Sequence, residues 1–178
     1  MTTDIEARLK RLEDREDIRA LAARYTFVVD NRDIEGIASC FAEHARFRSK
    51  DGVMNARGHN EIMDQFRGRF SVLGPGAHYS HDHVVWFEDD DVACGLMSAH
   101  AELIRNGKPM IASLRYEDQY IRDKSRWVFA DRLLSFFYYL NTEDYLECLG
   151  EKKRMRAYEE AQAADFPEAL TTWRDYHN

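Results

Sequence analysis

Two side chains far apart in the chain have the types that combine into an acid–base pair. Asp30 closes the helix-like segment RYTFVVDNRD, and His78 opens the strand-like run HYSHDHVVWF. A carboxylate bonded to an imidazole orients the ring and stabilises its protonated form, so the ring can act as a base. In an apolar pocket that chemistry is proton movement on a small hydrophobic molecule. Tyr25 precedes Asp30 by somewhat over one helical turn and offers a hydroxyl donor for a leaving or enolic oxygen. Arg132 interrupts the apolar run RWVFADRLLSFFYYL and needs a partner if buried. Each has a plainer reading. Asp-Asn is ordinary turn chemistry, Tyr25 an ordinary core aromatic, and Arg132 a surface partner of its own neighbourhood. An Asp at a helix C-terminus nevertheless opposes the helix dipole and calls for a donor.

The elements that must bring these groups together are legible in the periodicity. Ile5, Leu9 and Leu12 recur at helical spacing. From Asp17 a second helical stretch carries Ile18, Leu21, Ala22, Tyr25, Val28 and Val29, and Asn31 to Asp33 ends it. A short helix with Ile34, Ile37, Ala38 and Phe41 on one face comes before the strand-like ARFRS, and DGVMNARG has the residues of a hairpin end. HNEIMDQFRGRF is helical again, with Asn60 as its expected cap. Four long alternating segments come next: HYSHDHVVWF, VACGLMSAHAELI, MIASLRYEDQYIR and RWVFADRLLSFFYYL. Asn106-Gly107 fits a type I′ turn, and the short connections require antiparallel neighbours. On the first of these strands, strict alternation puts His78, Ser80 and Asp82 on one face and Tyr79, His81 and His83 on the other. The tail, in NTEDYLECLG, EKKRMRAYEEAQAAD and FPEALTTWRDYHN, reads as helical. The pattern is α+β: a cone-shaped, curved antiparallel sheet with N-terminal helices on its concave face, residues 1–140, and a helical extension of the same domain, residues 141–178.

Composition narrows the function classes. The chain has 178 residues, 44% hydrophobic and 12% aromatic, enough for one domain with a core that needs neither disulfides nor metal. A net charge of −7 with acids and bases interleaved argues against nucleic acid as a partner. The three cysteines, Cys40, Cys94 and Cys148, are isolated and point to a reducing, cytoplasmic setting. No apolar run is long enough to span a membrane, and the charged start MTTDIEARLKRLEDRED is unlike a signal peptide.

The segments REDIRALAARYTFVVDNRDIEGIASCFAEHARF, GAHYSHDHVV and RWVFADRLLSFFYY together resemble the SnoaL-like branch of the nuclear transport factor 2-like superfamily over roughly residues 14–140. The shared order is a helix ending in Tyr…Asp, a short helix ending in Phe-x-x-x-Ala-x-Phe, a His-led strand and a closing strand entered through Trp. The resemblance implies an α+β cone with a deep pocket. It also implies cofactor-independent lyase or isomerase chemistry, of the scytalone dehydratase, hexachlorocyclohexane dehydrochlorinase and bile acid 7α-dehydratase kind. It carries the catalytic Asp onto Asp30, the His onto His78, a dehydrochlorinase Arg onto Arg132 and a bile acid dehydratase Tyr onto Tyr25. The match departs elsewhere: His100 is offset from scytalone dehydratase's second His, and Phe136 stands near the bile acid enzyme's Arg. The family also contains ligand carriers and the β subunits of ring dioxygenases, so a binding or accessory role is the alternative.

Phe41, Phe47, Met54, Met63, Phe66, Met97, Met110 and Phe136 are candidates for the wall of a pocket taking a neutral or weakly charged cyclic compound. The spacing H-x-H with a Glu five residues later approximates a cupin metal motif, but the long N-terminal helices and the lack of a second such motif weigh against it. No cofactor is expected. Trp86, Phe87 and Tyr120 are expected on the outer sheet surface, where they call for cover in a homodimer or homotrimer.

Overall fold

The computed structural model describes residues 2–177, with side chains from residue 5 onward. Helix α1 (Thr2–Asp30) runs unbroken through the boundary expected at Asp17. Its buried stripe is Ile18, Leu21, Ala22, Tyr25 and Val29, whereas Ile5, Leu9 and Leu12 stay exposed. The helix is anchored at mid-length by Asp14, which accepts from Arg122 Nη2 at 2.6 Å and Trp127 Nε1 at 3.1 Å. Helix α2 (Ile34–Ala38) is capped by Asp33, whose side chain accepts from the Gly36 N–H.

Strands β1 (Phe41–Ser49) and β2 (Asn55–Arg57) form the expected hairpin. Helix α3 (Gly58–Val72) begins ahead of its expected cap. Asn60 lies inside the helix, and Glu61 secures the start by accepting from the Arg57 N–H at 2.9 Å. Strands β3 (Leu73–Phe87), β4 (Val92–Arg105), β5 (Lys108–Asp123) and β6 (Arg126–Asn141) complete the sheet. The sheet order is β2-β1-β6-β5-β4-β3. Its pairings are antiparallel except β1 with β6, which is parallel because the whole α3–β5 segment intervenes between them. Asn106 and Gly107 both take positive φ, 49° and 76°, as a type I′ hairpin requires.

Bulges set which side chains face inward. The β3–β4 register shifts between Ser80 and His83, and β5–β6 shifts twice, at Ser113/Leu114 and Gln119/Tyr120. An extra residue bends a strand and re-aims the side chains beyond it. His83 therefore turns inward with His78 instead of outward with His81, correcting the strict alternation. Inward rows run His78/Ala101/Ala112/Tyr139 and His83/Met97/Tyr116/Leu134. Of the aromatics expected outside, only Trp86 is there, 46% exposed; Tyr120 is fully buried and Phe87 packs edge-on to Trp127.

The tail is less helical than its composition suggests. It holds one 3-10 turn (Thr142–Asp144), helix α4 (Tyr145–Cys148) and helix α5 (Thr171–His177). The EKKRMRAYEEAQAAD segment is irregular. β1 pairs with β6 only as far as Leu134, leaving the end of β6 with an open edge. The tail fills it: Tyr139 N–H donates to Arg154 O at 2.9 Å and Arg156 N–H to Tyr139 O at 2.8 Å.

Candidate functional site

Asp30 and His78 meet. The end of α1 lies against β3. The His78 backbone N–H donates to Asp30 Oδ2 at 2.9 Å, and His78 Nδ1 lies 2.6 Å from Asp30 Oδ1. A carboxylate can only accept here, so Nδ1 carries the proton and Nε2 is the basic nitrogen. The side chains are 20% and 14% exposed, shielded from water without being sealed from it. The turn that follows Asp30 is held by Arg32, at φ 56°, whose guanidinium donates to the carbonyls of Leu73 and Gly74 at 2.6 and 3.1 Å. Those bonds tie the α1 terminus to the start of β3 and so fix the distance between the two members of the pair.

A cavity of about 30 Å³ adjoins the pair. Val29, Phe66, Phe70, Leu73 and Leu103 give it apolar walls, and Asp30, His78, Arg32 and Arg69 give it polar ones. That volume holds about one or two waters. Of the eight residues expected to form the wall, Phe66 alone lines this cavity. Phe47 is spent on stacking against Phe66, with centroids 5.1 Å apart, and Phe41 packs on Tyr25 and Phe129. Met63, Met110 and Phe136 are core, Met97 faces the groove beside His83, and Met54 receives the Arg69 guanidinium on its sulfur at 3.5 Å.

Tyr25 and Arg132 form a second, deeper polar group. Arg132 is fully buried, its guanidinium 3.8 Å from the Tyr116 ring and 4.2 Å from those of Tyr25 and Phe129. Its one ionic partner among the described residues is Asp118, at 3.3 Å, and its Nε, Nη1 and Nη2 have no hydrogen-bond acceptor there. Burial pushes the Asp118 carboxyl up, to about 6, against the pull of Arg132 and of the Tyr120 hydroxyl. Tyr120 donates to Asp118 Oδ2 at 2.9 Å and lies 3.0 Å from His83 Nε2. Burial, with the charges of Arg132 and Arg19, pushes His83 down to about 4, so it is neutral at physiological pH. Burial also raises the Tyr25 hydroxyl, keeping it a donor.

The residues not anticipated are Asp118, Tyr120, Tyr116, Arg32 and Arg69. The first three lie in YEDQY, where an acid between two tyrosines at two-residue spacing was a readable signal; nothing local marked Arg32 or Arg69. His100 turns outward, stacked between Tyr79 and His81 with its Nδ1 2.6 Å from His81 Nε2. His81 and His83 thus part to opposite faces and do not share a cupin-type ligand set. Among the described residues no three His, Cys, Asp or Glu side chains cluster as metal ligands. No described helix is long and apolar enough to cross a membrane.

Comparison with known proteins agrees with this architecture. No curated protein matches the sequence. Solved structures do. A hexachlorocyclohexane dehydrochlorinase, LinA-type3 from Novosphingobium barchaimii, is 20% identical with a TM-score of 0.68, over 75% of this chain and 92% of that one. A proposed scytalone dehydratase from Novosphingobium aromaticivorans is 16% identical with a TM-score of 0.71, over 88% and 94%. A variant of Rv3472, a Mycobacterium tuberculosis protein of unknown function, is 27% identical with a TM-score of 0.65, over 75% and 76%. The model of the SnoaL-like domain matches residues 10–132, and the chain, with its curved six-stranded sheet closed by N-terminal helices, belongs to that family.

Proposed function

We propose that the protein is a cofactor-independent lyase, of dehydratase or dehydrohalogenase type, or an isomerase, acting on a small, largely apolar cyclic substrate. The observation that carries this is the doubly bonded Asp30–His78 pair opening on a mostly apolar cavity. His78 Nε2 takes a proton from carbon. The C–H electron pair becomes the new double bond, and the leaving group departs from the adjacent carbon with its own bonding pair. Asp30 holds the Nδ1–H tautomer and stabilises the imidazolium. Tyr25 and Arg132 lie behind the cavity wall and act on the leaving group or developing oxyanion through their field. Relatives of this fold include a dehydrochlorinase and a proposed scytalone dehydratase, which favours elimination over other proton transfers.

The test is turnover on a panel of polychlorinated cyclohexanes and cyclic β-hydroxy ketones. His78→Gln and Asp30→Asn are expected to lose about 10²–10⁴-fold in kcat with an unchanged circular dichroism spectrum. Wild-type turnover in either variant removes the assignment. The small cavity favours one second reading, a carrier or oxygenase β-type accessory subunit, which would bind ring compounds without converting them.

We further propose a homodimer or homotrimer formed through the outer sheet face, where Tyr79, Val84, Trp86 and Leu96 are exposed. Three unpaired cysteines fit a cytoplasmic setting. Sedimentation velocity, with Trp86→Glu as control, tests the assembly, and a monomeric wild type sinks it.

A further inference from the structure

Among the described residues Arg69 has no counter-ion. It projects from α3 into the same cavity as Asp30 and His78, half-buried, with its guanidinium 5.7 Å above the Phe66 ring. The one side-chain hydrogen bond it makes there goes to the Met54 thioether, a weak acceptor. Asp30 lines the cavity too, but it bonds to His78 through both oxygens and makes no ion pair with Arg69. Arg32, the other cation there, is committed to two backbone carbonyls. The polar wall therefore carries one negative and two positive charges at rest, and a further positive charge once His78 accepts a proton.

A ligand that fills this cavity strips water from Arg69. Removing a guanidinium from water without supplying an acceptor is strongly unfavourable, whereas a carboxylate meets its planar fork with two charge-assisted hydrogen bonds. A wholly neutral ring would leave that cost uncompensated. We propose that the substrate is a cyclic compound bearing a carboxylate, and that Arg69 is the residue that holds it. This rests on the proposed reaction and adds the chemical class of its substrate. Arg69 fixes the anionic end and the carbon to be deprotonated is presented to His78; because the cavity as it stands holds only about one or two waters, Phe66, Phe70 and Leu103 must yield to admit the ring. Anchoring by a group remote from the reacting bond is a direct means of orienting a small substrate.

Matched acid–amide pairs test this: benzoate with benzamide, 1-naphthoate with 1-naphthamide, and indole-3-acetate with indole-3-acetamide. Thermal unfolding and titration calorimetry are run on wild type, Arg69→Met, Arg69→Lys and His78→Gln. At least one carboxylate is expected to raise the midpoint increasingly with its concentration while its amide does not. Arg69→Met is expected to weaken that carboxylate at least about tenfold, with part of the loss recovered in Arg69→Lys. Amides as effective as acids, wild-type affinity in Arg69→Met, or no response to any acid of the set each overturn the inference. Should Arg69→Met fail to fold, the acid–amide comparison on wild type and Arg69→Lys still decides it. His78→Gln separates the two proposals: it should keep the preference for acid over amide, since Arg69 is intact, while losing about 10²–10⁴-fold in kcat on the proposed reaction. If it retains turnover, the reaction is wrong and the carboxylate site stands.

Discussion

The inward turn of His83 has a consequence for stability that can be measured without a substrate. Burial, Arg132 and Arg19 lower its folded-state value from 6.5 to about 4. In the unfolded chain the ring takes up a proton near 6.5, while the folded protein refuses it until about 4. His83 thus favours the folded state fully above about pH 6.5, and that contribution is lost as pH falls toward 4. Between about pH 7.5 and about pH 4.5 the linkage amounts to about 2.5 kcal/mol, or about 2 kcal/mol after allowance for the half-buried ring. Asp118 works in the opposite sense. Its raised value means the folded state binds a proton first, so its contribution improves as pH falls from about 6 toward 3.8. The raw pH dependence of the wild type therefore mixes two opposed effects, and the comparison must be with a His83 variant. His83→Gln keeps a hydrogen-bonding group opposite Tyr120 and has no charge to gain. Urea unfolding of both proteins should show the variant gaining about 2 kcal/mol relative to wild type on going from about pH 7.5 to about pH 4.5. An identical free-energy difference at both pH values would mean that His83 protonates freely in the folded state, and the inward orientation would be wrong.

Two further expectations concern the same cluster. An added Cβ at Gly95 would lie 3.0 Å from His83 Nε2 and from the Tyr120 ring, so Gly95→Ala should destabilise by about 1–3 kcal/mol in urea unfolding; a neutral effect would show that the cluster is loosely packed. Asp118→Asn leaves the Arg132 guanidinium buried without its carboxylate and should cost about 3–5 kcal/mol, whereas Asp118→Asn with Arg132→Met should unfold less readily than that single variant. Simple additivity in urea unfolding would show that the two groups do not depend on one another.

The meeting of Asp30 and His78 was anticipated through the family resemblance. Locally, a helix that stops at Asp30 opposes its own dipole and asks for a donor, but nothing in the residues between them marked His78, six positions into β3 (Leu73–Phe87), as that donor. The hairpin at Asn106-Gly107, by contrast, was legible in its own residues. The inward turn of His83 was not, for a bulge at residues 81–82 is a response to sheet curvature and leaves no mark in the alternation of HYSHDHVVWF. The same holds for Tyr120, whose outward expectation failed beside a bulge. The tail misled for another reason. Glu, Lys, Arg and Ala give EKKRMRAYEEAQAAD good helix propensity, but the open edge of β6 beyond Leu134 offers backbone partners that a helix would forgo. Arg69 lay in a plainly amphipathic helix, and whether one of its arginines looks into the cone depends on tertiary packing alone.

The two polar groups of the cone are kept apart by aromatic rings. Asp30 and His78 sit beside the cavity, while Arg132, Asp118, Tyr120 and His83 run across the sheet behind it. Tyr116 lies between the two, its hydroxyl raised by burial first and influenced by the charges of both Asp118 and Asp30. In a low-dielectric interior, charges act across such gaps far more strongly than they would in water. Placing a guanidinium against three rings, with a carboxylate that burial has weakened, leaves its field poorly neutralised. A cation of that kind adds little to folding, since its burial costs about what Asp118 returns. Under the proposed reaction its use would be to a negative charge developing in the cavity, on which it would act through its field, since the guanidinium itself does not line that cavity.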